Sequence, residues 1–411
     1  MNLLWITPRW PEPANDGAKI ATLQLLKNLQ SDSALHITLA ALISENESTS
    51  PIPSFDRIDV RILKRILPAA SPALRFLSNP RLPVTFSSFA TEELTEALLK
   101  IVNEKKWDGI VMDGLHAAIP FLKMNLAGPS FQMPGKTKIF YRAHNVEFSL
   151  WEQAATATPA PQLPKKIALT LQSKLVKAFE KSLGDASEKI FPVSEEDAKI
   201  FGKLCPQVKA PVIRIGQDFP KNSTRTKPFP HEHAPPIELG FIGRIDWLPN
   251  REGLEWFLNS VWPELNQNQV KKFRLRIAGS GDGTWLQKYN TLPDVQFLGK
   301  IDAVDSFYES IQASIVPLFM GSGTRVKVIE SSRYAVPVIS TALGVEGCPL
   351  INQNSYLQAE TQENWISVLN GVTPETLFSL GDRAFYEMKV AYDSASIATQ
   401  MASHMKSSQS I

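Results

Sequence analysis

Short apolar runs without strict alternation, each followed by a stretch of helical spacing, recur along most of the chain and narrow the folds open to it. Leu3–Thr7, His36–Leu42, Arg57–Leu63, Gly109–Met112, Lys138–Arg142 and Lys189–Val193 are runs of this kind, most of them rich in Val, Ile and Phe. Strands buried on both faces read this way, whereas half-exposed strands alternate apolar with polar residues. Between the runs, Ala18–Gln30 and Thr91–Glu104 carry apolar residues at helical spacing. In Lys165–Leu183, Ile167, Leu171, Leu175, Phe179 and Leu183 recur every four residues. That spacing predicts an amphipathic helix with Lys165, Lys166, Lys174, Lys177 and Lys181 on its other sides. Strand–helix alternation predicts an α/β protein whose parallel sheets are covered by helices.

The alternation breaks at Gly216–Pro236, a stretch dense in proline and polar residues that reads as a linker. It then resumes, with strands at Glu238–Ile242, Arg274–Ala278, Val295–Leu298, Ala313–Leu318 and Pro337–Ser340. Helices fit at Arg251–Trp262, Thr284–Tyr289, Val304–Ile311 and Arg325–Tyr334. At 411 residues, two α/β domains in tandem are expected, residues 1–215 and 237–383, joined by 216–236. Parallel sheets bind ligands at the carboxyl ends of their strands, so a small-molecule cleft between two such domains is expected.

Charge excludes some functions. Lys and Arg number 43 against 41 Asp and Glu, a net +2, without the basic excess a nucleic-acid binder needs. The two cysteines, Cys205 and Cys348, form no CxxC and are expected reduced, which predicts a cytoplasmic protein. The apolar start is too short for a signal peptide, and no run is long enough to span a membrane. One basic and apolar segment stands out: Arg57, Arg61, Lys64, Arg65, Arg75 and Arg81 are interleaved with Ile62, Leu63, Ile66, Leu67, Leu74, Phe76 and Leu77. It predicts either a solvated edge or a peripheral contact with anionic lipid at the inner face of the membrane.

The stretch most informative about chemistry is Val316–Glu346. A strand ends near Leu318, and Gly321-Ser322-Gly323 then opens a helix near Thr324 that carries Arg325, Lys327 and Glu330. Glycines admit an anion close to the backbone, and the first N–H groups of a helix attract negative charge. Two readings stand on these residues. One is a diphosphate pocket with Arg325 and Lys327 as cations and Glu330 accepting from a sugar diol; the other is an ordinary strand–helix turn with solvated charges. Gly279-Ser280-Gly281-Asp282-Gly283 lacks the third glycine of a dinucleotide fingerprint and reads as a turn. Gly17, alone before the first helix, also reads as a turn. Arg142, His144 and Glu147 put three ionisable groups within six residues at a strand end. Ser194, three residues before Asp197, reads as a helix cap. His231 and His233 lie among the linker prolines. No GxxxxGK[ST], HExxH, GxSxG or Asp-x-Asp occurs, so no bound metal is expected.

Over nearly its whole length the chain resembles retaining glycosyltransferases of family 4, the group 1 set, which have two Rossmann-like domains facing across a cleft (GT-B). The residues that carry the resemblance are Phe241–Arg244 with Trp247–Asn250, Val295–Gly299, Pro317–Glu330 with Pro337–Thr341, and His144–Glu147. The resemblance implies transfer of a hexose-type sugar from a nucleoside diphosphate sugar to a glycan, lipid-linked or other acceptor, as in polysaccharide biosynthesis, with no other cofactor. It places Gly17, Arg244, Gly321, Gly323, Thr324, Arg325 and Lys327 at the diphosphate and Glu330 at the ribose. His144 becomes the catalytic histidine, with Ser322 and Glu147 near the donor sugar. It also implies that a last helix, about 384–411, packs back onto the amino-terminal domain. Two departures are plain. Ser322 stands where the family has a carboxylate, and no lysine follows Arg244; Asn250 and Arg251 occupy that region. A nucleotide-sugar epimerase of the same fold, or a non-catalytic nucleotide-sugar-binding subunit, remains an alternative.

Overall fold

A computed structural model describes residues 1–12, 17–44, 47, 55–65, 74–75, 79–125, 128–133, 135, 137–158, 160–223, 236–267, 273–301, 303–320 and 325–408. The chain divides into two compact units, Met1–Gly216 with Ser394–Ile411, and Gln217–Asp393.

The first unit holds strands β1 (Asn2–Thr7), β2 (His36–Ser44), β3 (Ile58–Arg65), β4 (Gly109–Asp113), the hairpin pair β5 (Leu122–Asn125) and β6 (Gly128–Phe131), β7 (Lys138–Ala143) and β8 (Lys189–Pro192). Six of them form a parallel sheet in the order β3-β2-β1-β4-β7-β8. The second unit holds β9 (Ile237–Ile242), β10 (Phe273–Ala278), β11 (Val295–Gly299), β12 (Ala313–Val316), β13 (Val338–Ser340) and β14 (Leu357–Gln358). They pair in parallel as β11-β10-β9-β12-β13-β14. Counted within each unit, both orders are 3-2-1-4-5-6, the doubly wound order whose strand direction of travel reverses between the first and fourth strands.

The lack of alternation in the sequence follows from burial on both faces. Along β1, Leu4 and Ile6 join Ile110, Met112 and Tyr141 in one core, while Leu3 and Trp5 join Val111 and Phe140 in another. The last helix, Ser394–Ser407, closes that second core with Ile397, Met401 and Met405. β12 stops at Val316, ahead of Pro317, which has no N–H for a ladder. Gly279 and Gly281 form the turn expected after β10, Gly281 at φ 101°.

Two sequence expectations change. Residues 384–393 do not belong to the returning segment. They continue the helix Pro374–Tyr392, whose Leu377, Leu380, Ala384, Phe385 and Met388 form one buried stripe in the second unit. The return begins after Asp393, an extended residue between two helices. In the helix Leu163–Asp185, Phe179 and Leu183 are buried, but Ile167 and Leu171 are exposed. A strict four-residue repeat advances about 40° per step on a helix of 3.6 residues per turn, so its two ends face opposite ways. Of the linker, 217–223 belong with the second unit, where Phe219 meets Phe385 at 5.6 Å between ring centroids. Residues 224–235, with His231 and His233, lie outside the described residues.

Gly253, on the helix Leu248–Trp256, packs directly on the end of β12: a Cβ there would lie 1.7 Å from the Pro317 carbonyl oxygen. Backbone cannot rotate away as a side chain can. Gly253→Ala should therefore cost about 3 kcal/mol, the upper end of overpacking penalties. Gly371→Ala, with nothing within 4 Å of the added carbon, should be neutral or slightly stabilising. Urea unfolding of the two variants checks the contrast.

Candidate functional site

In the second unit a pocket of about 230 Å³ opens where β9 and β12 end, at the point where strand order reverses. Its lining includes Gly243, Arg244, Trp247, Asn250, Leu318, Arg325, Lys327 and Glu330. The volume is below the ~300–1,000 Å³ of whole small-molecule sites.

Lys327, in the first turn of the helix Val326–Arg333, is the central group. Its Nζ donates to Asn250 Oδ1 at 2.6 Å and stands 4.6 Å from the centre of the Phe241 ring. Among the described residues no carboxylate forms a salt bridge with it. Burial, and then the nearby Arg325 charge, lower its pKa to about 7. Asn250 is itself held by its amide nitrogen, which donates 2.8 Å to the Arg244 carbonyl. A Cβ on Gly243 would sit 2.9 Å from the Asn250 amide nitrogen and 3.3 Å from Lys327 Nζ, so glycine makes room for the pair. Asn250, in the region where the resemblance leads one to expect a lysine, thus holds Lys327 from another element.

The other expected residues divide. Arg244 stays at the surface, its side chain 71% exposed, in a two-pronged contact with Asp246 at 2.8 and 3.2 Å. Arg325 is not solvated: its side chain is 4% exposed, and it donates to the Leu343 carbonyl at 3.1 Å and to Glu346 at 3.2 Å. It stands at the N-cap of the helix Val326–Arg333, whose first turn closes on its carbonyl through Val328 N–H at 2.9 Å and Ile329 N–H at 3.1 Å, with no side-chain cap. Glu330 accepts a long 3.4 Å contact from the buried Tyr308 hydroxyl, and burial raises its pKa. Gly321, Ser322, Gly323 and Thr324 lie outside the described residues.

The first unit has its own polar cluster at the corresponding end of its sheet. Asp113, ending β4, is fully buried. Its Oδ1 accepts from Arg142 Nη1 at 2.7 Å and from His144 Nε2 at 2.8 Å, and its Oδ2 from Thr22 at 2.7 Å. Burial pushes the Asp113 pKa up, but the Arg142 charge and these hydrogen bonds hold it well below the usual carboxylate range. Burial and Arg142 lower the His144 pKa against the opposing pull of Asp113. A neutral imidazole donating through Nε2 to Asp113 leaves Nδ1 as an acceptor. His144 is 11% exposed at the side chain. Glu147 starts the helix Glu147–Ala157; burial raises its carboxyl pKa. Gly17 starts the helix Gly17–Leu29, and the loop before it, 13–16, is outside the described residues.

Sequence reasoning missed Asp113, Thr22, Tyr308 and Glu180. Glu180, fully buried, accepts from Tyr141 at 2.8 Å and from the backbone N–H groups of Glu147 and Phe148 at 3.2 and 3.1 Å. It thereby caps the helix that follows His144. Burial raises its pKa to about 8. The Ser194 hydroxyl accepts from Asp197 N at 3.1 Å, as a cap should. Among the described residues no three His, Cys, Asp or Glu converge to hold a metal, and no helix is long and apolar enough to cross a membrane.

Residues 236–368 match the family described as Glycosyl transferases group 1. The whole chain superposes on a sucrose-phosphate synthase from Thermosynechococcus elongatus with a TM-score of 0.66 at 15% identity, covering 99% of this chain and 98% of that one. It superposes on HepE of Anabaena, solved with UDP and glucose, with a TM-score of 0.60 at 11% identity over 99% and 100% of the two chains. The fold is GT-B. In sequence the chain is 22% identical over 352 residues, 82% of each chain, to an uncharacterized 44.6 kDa protein in the cps region of Klebsiella pneumoniae. The GT-B match covers both units, whereas the family match is confined to the unit that holds Lys327.

A lysine protonated when unfolded but with a folded pKa near 7 lowers stability most below pH 7; the loss is recovered as pH rises toward 10.5. Lys327→Met should therefore be more stable than the parent, with a wider gap at pH 6 than at pH 9. Urea unfolding at the two pH values reads it.

Proposed function

We propose that the protein is a glycosyltransferase that moves a hexose-type sugar from a nucleoside diphosphate sugar to a glycan or lipid-linked acceptor, with retention of anomeric configuration. The observation that carries the reading is Lys327, half-buried in a pocket at the strand-order reversal of the unit matching the group 1 family, with no carboxylate paired to it among the described residues. Such a cation is offset best by an anion that arrives with the substrate. A solved GT-B neighbour, HepE, binds UDP and glucose, which supports a nucleotide-sugar donor.

In this reading Lys327 and Arg244 meet the diphosphate, and the first N–H groups of the helix Val326–Arg333 point toward it. Negative charge grows on the diphosphate as the glycosidic bond breaks, and cations fixed beforehand stabilise that state without reorganising. Glu330, braced by Tyr308, accepts hydrogen bonds from the ribose hydroxyls. Arg325 is a positioning residue: it fixes the Leu343–Val345 turn through the Leu343 carbonyl and Glu346. His144, kept neutral and oriented by Asp113, accepts a hydrogen bond from a sugar hydroxyl through Nδ1. The protein's place of action is the cytoplasm.

The test is incubation with a panel of nucleoside diphosphate sugars without acceptor. Slow release of free sugar and nucleoside diphosphate supports the transferase; an epimerised donor means an epimerase, and binding without turnover a non-catalytic subunit. His144→Ala should lower turnover at saturating donor by about a hundredfold or more while leaving nucleotide affinity unchanged. Glu330→Gln should weaken nucleoside diphosphate binding by roughly tenfold and spare inorganic pyrophosphate, which has no ribose.

A further inference from the structure

The helix Leu163–Asp185 carries an apolar stripe on the side away from the core. Leu163, Ile167 and Leu171 are 57%, 51% and 45% exposed. At about 100° per residue they lie roughly opposite Val176, Phe179 and Leu183, which face inward. Leu150, on the neighbouring helix Glu147–Ala157, is 46% exposed as well. Farther along the same outward face come Lys174, Lys177 and Lys181, all exposed. Lys177 rests its ammonium 4.7 Å above the Phe148 ring, and Lys181 pairs with Asp185. The acidic groups on these two helices are the buried Glu180, the half-buried Glu147, the paired Asp185 and the exposed Glu152. Large aliphatic side chains on the solvent side of a helix have no role in the core, and here three lysines continue their face.

We infer that this face docks the protein on an anionic lipid surface. Leu163, Ile167 and Leu171 enter the boundary between headgroups and acyl chains, while Lys174 and Lys177 lie against lipid phosphates. A second copy of the chain fits the face poorly, because pairing it with itself would bring lysines against lysines. The basic segment expected from sequence to meet lipid also exposes Ile62 and Leu74, but there Arg61 pairs with Asp59 and Glu104, Arg65 donates to Ser88, and Ile66, Leu67, Phe76 and Leu77 lie outside the described residues. The inference is independent of the transferase reading, since the face belongs to the first unit and needs no donor.

Co-sedimentation of the full chain with vesicles tests it. At low salt the protein should sediment with mixed phosphatidylglycerol–phosphatidylcholine vesicles and not with phosphatidylcholine alone, and added salt should release it. Replacing Leu163, Ile167 and Leu171 together by Ser should weaken vesicle binding by about tenfold or more with an unchanged circular dichroism spectrum and melting temperature, because these side chains hold nothing in the core. Lys174→Glu with Lys177→Glu should act in the same direction. If the parent ignores anionic vesicles, if the triple variant binds them as the parent does, or if the face instead drives dimerisation in lipid-free sedimentation, the inference is overturned.

Discussion

A half-buried lysine with no carboxylate paired to it among the described residues organises the second unit's site. Among those residues Lys327 is compensated by one amide oxygen of Asn250 and the face of Phe241. Its neighbours tolerate that charge rather than cancel it. Gly243 leaves the space, Asn250 is anchored to the Arg244 carbonyl, and Arg325, whose charge it feels, is tied to Glu346 and Leu343. A half-buried cation in this condition adds little to stability, because an apolar side chain of similar size does as well or better. The arrangement makes sense when the missing counter-charge comes with a ligand.

The two sheets share one strand order, and each places its polar cluster where that order reverses, yet the clusters are electrostatically unlike. In the second unit the half-buried charge of Lys327 is positive and has no ionic partner among the described residues. In the first, Asp113 is saturated by Arg142, His144 and Thr22, and the effect is to fix a neutral imidazole. One cluster is suited to capturing an anion and the other to orienting a histidine. A single architecture thus supports two chemistries, set by which side chains stand at the strand ends.

Much of the fold was legible in the sequence because burial on both faces removes alternation, and every strand named from that signal is present within a residue or two at most ends. The helix Leu163–Asp185 was legible as a helix but not in its facing, since a four-residue repeat drifts around the axis. Lys327 and Glu330 were legible as a motif. What was not legible was contact between distant positions: Asn250 meets Lys327 across 77 residues, and Asp113 meets His144 across 31. Asp113 is a lone acid at a strand end, and Glu180 one charged residue within a lysine-rich helix. Neither spacing nor composition marks them, and only the fold brings them to their partners.

With a pKa near 7, Lys327 waits largely uncharged at mildly alkaline pH for a diphosphate that will hold its proton. Calorimetric titration with UDP at pH 8, in buffers of different ionisation enthalpy, measures that proton directly. With a pKa near 7 before binding and a charged lysine after it, the parent should take up nearly one proton per UDP bound, and Lys327→Met should take up none. Tight UDP binding without proton uptake by the parent, or equal uptake by the variant, would contradict the account.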